Sequence, residues 1–138
     1  MRLVLDANEY IFGLGSQRTH ACEQLLDRLA RARSPVSLRI PRLIVNEVRR
    51  NLTPEAFREF LRVVDFLTPI DEDSVVPFEL GVKYERQGLK PADAFIAAYT
   101  EWVGAEVLVS ENRHFLSRHA DLPFRVMTAR AFLQRLSP

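Results

Sequence analysis

The sequence has little of what would point to a secreted, membrane-bound or thiolate-rich protein. It contains one cysteine in 138 residues, which excludes an internal disulfide framework and a zinc site built from several cysteines. No apolar run approaches the roughly 20 residues that span a bilayer, and the first residues lack the basic and apolar regions of a signal peptide. We therefore expect a cytoplasmic protein with no membrane partner.

The chain also lacks an excess of charge of either sign. A formal net charge of +1 gives no global attraction to nucleic acid or membranes, so any basic surface must be local. Hydrophobic residues at 47% and charged residues at 27% are ordinary for a globular protein. A chain of this length can bury a core without metal or disulfide support. We predict a single domain over residues 1–138.

Short apolar strands alternate with capped helices along the chain. The periodicity predicts strands over 3–5, 36–40, 67–70, 106–109 and 124–127. Helices are predicted over 19–33, 42–52, 91–103 and 128–136, with a further one starting at Pro54 and another ending near Gly88. This alternation is typical of a parallel sheet covered by helices on both faces. We therefore predict an α/β fold, a three-layer α/β/α sandwich.

Polar side chains follow the predicted strands at positions that would meet in space. Asp6 comes directly after the first strand, and 110–112 (Ser-Glu-Asn) follow the fourth. Glu47 lies in the helix after the second strand, and Asp93 lies in the first turn of a helix that starts at Pro91. Because ligands of parallel α/β sheets bind outside the carboxyl ends of the strands, we expect these groups to converge at one edge.

Four segments, in order and spacing, resemble the motifs of a known family. They are LVLDAN, IVNEVRRNL, KPADAFIAA and VLVSENRHF, and FRVMTARAFLQRL resembles the closing strand and helix of the same family. The chain thereby resembles the PIN-domain nucleases, which include the VapC-type toxins of bacteria and archaea. The resemblance covers essentially the whole chain and implies a PIN-like sandwich.

The resemblance assigns roles residue by residue. Asp6, Glu47 and Asp93 match the acids that bind divalent metal, and Asn112 stands where many relatives have a further acid. We predict these four as catalytic residues and the three acids as metal ligands. The predicted assisting residues are Asn8, Ser110 and Glu111. Glu9 falls where relatives more often have an apolar side chain.

The chemistry of phosphodiester hydrolysis fits this set of side chains. Mg²⁺ or Mn²⁺ can generate a nucleophile from water near neutral pH and offset charge on the phosphate. Such hard cations take oxygen ligands and keep several waters. We therefore predict a metal-dependent endoribonuclease with RNA as substrate. The resemblance further implies a toxin of a toxin–antitoxin pair, a small antitoxin protein as partner, and a homodimer.

Other readings of the same residues remain open. Asp6 and Asp93 could simply cap or begin helices, and Glu47 could pair with an arginine. Basic residues beside the acids are candidates for phosphate contacts or for a solvated face: Arg49, Arg50, Lys90 and Arg113. Cys22 lies among leucines at helical spacing, which favours a packed thiol over a nucleophile.

Two rival functions can be weighed at this point. An aspartyl phosphatase or phosphoacceptor is disfavoured, because Asp6 is followed by Asn8 instead of a second acid and no lysine follows Lys90. The alternative that stays open is a non-catalytic PIN-fold module that binds RNA or a partner without cutting. The neutral Asn112 keeps this alternative alive.

Overall fold

A five-stranded parallel sheet forms the centre of the computed structural model, which describes residues 1–31, 36–117 and 122–136. Its strands are β1 (Arg2–Leu5), β2 (Ser37–Pro41), β3 (Ile70–Asp71), β4 (Val107–Val109) and β5 (Arg125–Met127). All pairings are parallel, in the order β3-β2-β1-β4-β5. The central strand is therefore β1, and the residue that follows it lies in the middle of the carboxyl edge.

Eight α-helices connect and cover these strands in the described part of the chain. They are α1 (Ala7–Leu14), α2 (His20–Arg31), α3 (Arg42–Asn51), α4 (Pro54–Leu67), α5 (Phe78–Arg86), α6 (Pro91–Trp102), α7 (Arg113–Leu116) and α8 (Ala129–Leu136). A 3₁₀ turn spans Asp73–Val75. Helix α1 contacts α2, α3 and α4, helix α2 contacts α8, and α5 contacts α6. None of the described helices is long and apolar enough to cross a membrane.

Local sequence signals explain where several helices begin and end. The hydroxyl of Thr53 accepts from Ala56 N at 3.2 Å, and Pro54 occupies the first helical position of α4. Gly88 (φ 98°) and Gly104 (φ 67°) adopt the left-handed conformation after α5 and α6, which costs a residue without a Cβ little. These signals mark where α4 begins and where α5 and α6 end.

The core is built on β1 and the helices beside it. Leu3, Val4 and Leu5 are fully buried, so both faces of the sheet are covered at β1. The ring of Tyr10 in α1 meets Phe60 of α4 edge to face, with centroids 5.0 Å apart. This packing sets α1 directly after β1 and thereby fixes the residue between them.

The structure differs from the elements predicted from the sequence in several places, and one predicted boundary is not described. Helix α4 runs to Leu67, so the predicted strand over 67–70 is reduced to Ile70–Asp71. The short helix α7 was not predicted. The predicted end of a helix at Arg33 lies outside the described residues, and the helix is described to Arg31.

The predicted three-layer, PIN-like sandwich requires correction. The structure describes a small α/β fold around a five-stranded parallel sheet. Alternation of strands and helices in a sequence indicates parallel pairing, but many α/β folds share that alternation. The prediction of a three-layer, PIN-like sandwich is therefore not retained.

Candidate metal centre at the carboxyl edge of the sheet

Asp6 is held by hydrogen bonds at the junction of β1 and α1. Its backbone N–H donates to Val109 O on the neighbouring strand at 2.9 Å. Its Oδ1 accepts from Ala7 N at 2.8 Å as the N-cap of α1. The residue is 7% exposed. Asp6 is therefore a helix cap, as the simpler reading held, and at the same time a carboxylate at the centre of the edge.

Ser110 joins Asp6 to the segment that follows β4. The fully buried Ser110 hydroxyl donates to Asp6 Oδ2 at 2.7 Å. The hydroxyl oxygen of Ser110 in turn accepts from the backbone N–H of Asn112 at 3.0 Å. Both carboxylate oxygens of Asp6 thus have a donor, and the predicted assisting role of Ser110 takes the form of positioning Asp6.

Asn112 links this segment to the third acid. Its Oδ1 accepts from His114 N at 2.9 Å and caps α7. Its Nδ2 donates to Asp93 Oδ1 at a long 3.4 Å. Asp93 lies half-buried in the first turn of α6. The amide of Asn112 therefore supports Asp93, and its carbonyl oxygen is engaged in the helix cap.

The electrostatics place Glu47 in the same group. Burial raises the pKa of Glu47, and the charges of Asp6 and Asp93 raise it further against the lowering effect of Arg50. Burial likewise raises the pKa of Asp6, with Asp93 and Glu111 adding to the rise, while hydrogen bonds from Ser110 and Ala7 lower it. No arginine or lysine among the described residues forms an ion pair with Glu47.

The side-chain oxygens of Asp6, Glu47 and Asp93 are spaced more widely than ligands that all bind one ion directly. Their oxygens do not all come within 4.8 Å of one another, a spacing that only Glu9, Cys22 and Glu111 reach among the residues that the structure describes. Mg²⁺ commonly takes one or two carboxylates directly and holds others through water. Carboxylates close enough for the charge of Asp93 to raise the pKa of Asp6 and Glu47 fit a hard divalent cation. Asp6, Glu47 and Asp93 are the residues that would hold it.

Glu111 binds the start of α8. Its Oε2 accepts from Ala129 N at 3.0 Å. Ligand atoms of Glu111, of the fully buried Glu9 and of Cys22, which is 1% exposed, lie within 4.8 Å of one another. The Cys22 thiol donates to Glu9 Oε2 at 3.0 Å. The structure thus confirms a packed thiol, while sequence reasoning missed its pairing with Glu9; the only signal was an acid at a position expected to be apolar.

The four predicted phosphate-contacting residues are exposed and form no ion pair with a described acid: Arg49, Arg50, Lys90 and Arg113. A small cavity of about 70 Å³ lies beside Asp93 and is lined by Lys90, His114, Gly88 and Leu89. Larger cavities of about 570–650 Å³ lie away from the acids. Asn8 is half-buried on α1. The acidic edge is therefore a shallow surface with free cations at its margin.

The comparisons with known proteins find likeness of fold. No protein-family model matches the sequence, and no curated protein matches it. The chain is similar to a structure described as VapBC2 from Rickettsia felis bound to a DNA fragment from their promoter, with TM-score 0.64 and 17% identity over 93% of this chain and 98% of that chain. It is also similar to FitAcB from Neisseria gonorrhoeae, with TM-score 0.61, 17% identity and the same coverage.

These findings correct the family assignment made from the sequence. The motifs predicted a PIN-domain nuclease of VapC type, but no family model matches and the two neighbours share 17% identity with the chain. Membership of that family and its characteristic sandwich are therefore not retained. The physical reason is that an acid after a short apolar strand also serves as a helix cap, as Asp6 does here. Such motifs are less specific than their order suggested.

Proposed function

We propose that this protein is a divalent-metal-dependent endoribonuclease that acts as the toxin of a toxin–antitoxin pair. The observation that carries the proposal is the convergence of Asp6, Glu47 and Asp93 at the carboxyl edge, where the charge of Asp93 raises the pKa of both Asp6 and Glu47 and no described basic residue forms an ion pair with Glu47. A group of unneutralised carboxylates beside exposed cations suits a metal and a phosphate backbone together.

Each residue has a role in this proposal. A bound Mg²⁺ or Mn²⁺ would supply a water nucleophile near neutral pH and offset charge on the phosphate. Asp6, Glu47 and Asp93 would hold the cation directly or through its waters, with oxygens of Asp6 and Asp93 oriented by Ser110 and Asn112. Glu47, whose pKa is raised, is suited to accept a proton from the attacking water.

The exposed cations would hold the strand to be cut. Arg49 and Arg50 end α3, which carries Glu47, and Lys90 precedes α6, which carries Asp93. Their position beside the acids would bring a scissile phosphate to the metal. A shallow edge without a deep cavity admits a single-stranded polynucleotide, whose backbone such cations recognise without reading sequence.

The partner is proposed from the fold neighbours. Both belong to toxin–antitoxin complexes, which supports a protein partner for this chain. A small antitoxin that covers the acidic edge would prevent cleavage.

A non-catalytic RNA-binding or partner-binding module is the second candidate. The observation in its favour is that Asn112 contributes no charge and donates to Asp93, so one oxygen of that acid is already engaged. Such a module would bind RNA through the same cations and would not need the acids to be ionised.

The test is cleavage of labelled single-stranded RNA by the purified protein with Mn²⁺, with Mg²⁺, and with excess chelator. We expect cleavage with either metal and none with chelator. Asp6→Asn and Asp93→Asn should lose more than the roughly 10–100-fold that removal of an outer partner of a metal site costs. Asp65→Asn, an exposed acid on α4, is the matched control and should cleave as the wild type does.

Binding and thermal unfolding separate the two candidates. A nuclease should gain thermal stability with Mn²⁺, because a ligand that binds only the native state stabilises it, and Asp93→Asn should lose this gain. RNA binding without cleavage, together with a melting temperature indifferent to Mn²⁺, would establish the non-catalytic module. Cleavage that persists in chelator would contradict the proposed mechanism.

A further inference from the structure

A second group of ligand atoms lies behind the acidic edge. Glu9 in α1, Cys22 in α2 and Glu111 after β4 each offer one oxygen or sulfur, and these atoms all lie within 4.8 Å of one another. Glu9 and Cys22 are buried, and Glu111 is half-buried, so it provides the side open to solvent. Three elements distant in sequence therefore meet at one small polar cluster.

This cluster is incompletely satisfied. Glu9 is fully buried, and its Oε1 has no hydrogen-bond donor among the described residues. Its Oε2 is already used by the Cys22 thiol. No described lysine, arginine or histidine forms an ion pair with Glu9 or Glu111. A buried carboxylate oxygen without a donor or a nearby counter-charge is costly on general grounds, so a further group that binds Oε1 would be favoured at this cluster.

We propose that Glu9, Cys22 and Glu111 form a second cation site, distinct from the Asp6 edge and selective for a thiophilic divalent metal such as Zn²⁺. Thiolate and carboxylate ligands suit Zn²⁺, whereas Mg²⁺ avoids sulfur. Zinc bonds of about 2.0–2.3 Å put tetrahedral ligand atoms about 3.5 Å apart, so side-chain shifts of about 1 Å would close the present spacing. A fourth position is left for water on the side of Glu111.

Protons compete with the metal at this site. Burial and the neighbouring Glu111 raise the pKa of Glu9 to about 9. Burial and the hydrogen bond with Glu9 raise the pKa of Cys22 to about 12. In the metal-free protein a proton on Glu9 can be shared with Glu111, and this proton sharing is the competing explanation for the cluster. Because metal ligands must be deprotonated, the cation would displace both protons as it binds.

The experiment is a titration of the metal-free, full-length protein with Co²⁺, a spectroscopic substitute for Zn²⁺. Co²⁺ bound to a thiolate gives a near-ultraviolet charge-transfer band that oxygen ligands alone do not give. We expect this band to saturate at one equivalent per chain and to disappear when Zn²⁺ is added. Mg²⁺ should not displace it.

Variants assign the signal to the cluster. Cys22→Ser should abolish the band, and Glu9→Gln should weaken Co²⁺ binding at least about 10-fold. Glu23→Gln, an exposed acid on α2 close to Cys22 in sequence, is the matched control and should titrate as the wild type does. Asp93→Asn should keep the band, because that acid belongs to the other site. Circular dichroism and thermal melts establish that each variant is folded.

The outcomes are decisive in both directions. A saturable band that depends on Cys22 and Glu9 and survives Asp93→Asn supports the second site, whether or not the protein cleaves RNA. Absence of the band in folded wild-type protein at millimolar Co²⁺ would overturn it and leave proton sharing between Glu9 and Glu111 as the explanation. A band that Asp93→Asn removes would overturn the claim that the two sites are separate.

Discussion

The hydroxyl of Ser110 donates to Oδ2 of Asp6 at 2.7 Å, across 104 positions of sequence. Strand pairing makes this contact possible, because β1 and β4 are neighbours with Leu5 opposite Val109, so the next residue of each strand meets at the edge. Ser110 also accepts from the N–H of Asn112. One buried hydroxyl therefore ties the first acid of the site to the segment that supports the third.

Replacing Ser110 with alanine should affect both stability and pH dependence. Ser110→Ala leaves the partly buried N–H of Asn112 and a buried carboxylate oxygen of Asp6 without this partner, which should lower the free energy of unfolding by about 1–3 kcal/mol. The hydrogen bond lowers the pKa of Asp6, so its loss raises that pKa and should move the acid limb of the cleavage profile to higher pH. Ser117→Ala, an exposed serine after α7, should change stability by less than about 0.5 kcal/mol.

Asn112→Asp should trade stability for metal binding. Aspartate can keep the cap of α7, but it replaces the donor that faces Asp93 with another negative charge. We expect a lower melting temperature in chelator and a larger stabilisation by Mn²⁺, with half-maximal cleavage at lower Mn²⁺. The measurement is thermal unfolding and RNA cleavage across a Mn²⁺ series. A variant that melts at the wild-type temperature in chelator would show that the Asn112 contact carries no weight.

Glu9→Gln should alter how stability depends on pH in chelator. The pKa of Glu9 is raised from 4.5 to about 9, so between these values the native state holds a proton that the unfolded chain has lost. The free energy of unfolding should therefore fall as pH rises through this range. Glu9→Gln removes this titrating group. Between about pH 5 and about pH 9, the free energy of unfolding should therefore fall less in the variant than in the wild type, and the two losses should differ by more than about 1 kcal/mol.

Urea unfolding at the two pH values provides the comparison. Glu23→Gln removes an exposed acid and should follow the wild-type dependence. Parallel pH dependence of Glu9→Gln and the wild type would show that Glu9 is ionised at neutral pH, against the shift described here.

Removing the cations beside the acids should weaken RNA binding uniformly across sequences. Arg49 and Lys90 are exposed and unpaired with any described acid. The salt dependence is the slope of the logarithm of the binding constant against the logarithm of salt concentration. If each residue contacts a phosphate, Arg49→Gln and Lys90→Gln should each reduce the magnitude of this slope by about 0.7. Affinity is measured in chelator at several salt concentrations. Arg58→Gln, exposed on α4 and paired within its own helix, should leave the slope unchanged.

The order of strands and helices could be predicted from the sequence, because local patterns of residues determine it. The β1 run of Leu3 to Leu5 and the Thr53-Pro54 start of α4 are decided by neighbours in sequence, and both appear where periodicity and capping rules put them. The strand predicted over 67–70 was wrong at its start, because α4 continues through Leu67. An apolar run of that length fits a helix end and a short strand equally well.

From the sequence, only the site contacts between residues at the ends of paired strands could be predicted. The meeting of Asp6 with Ser110 follows from parallel pairing, but the direction of Glu111 does not. Its neighbour Asn112 caps α7 and contacts Asp93, while Glu111 turns toward the start of α8. Which residue of this segment contacts Asp93 depends on packing that no local pattern encodes. The same holds for Glu9 and Cys22, which α1 and α2 bring together.

The pairing of β1 with β4 also bears on when the site comes into being during synthesis. Asp6 is synthesised before β4, and the hydroxyl that holds it belongs to the residue that follows that strand. A nascent chain that carries Asp6, Glu47 and Asp93 but not yet β4 lacks one of the two strands that flank β1. The hydrogen bonds that orient Asp6 can therefore be completed only after the last of these three acids has been added to the chain.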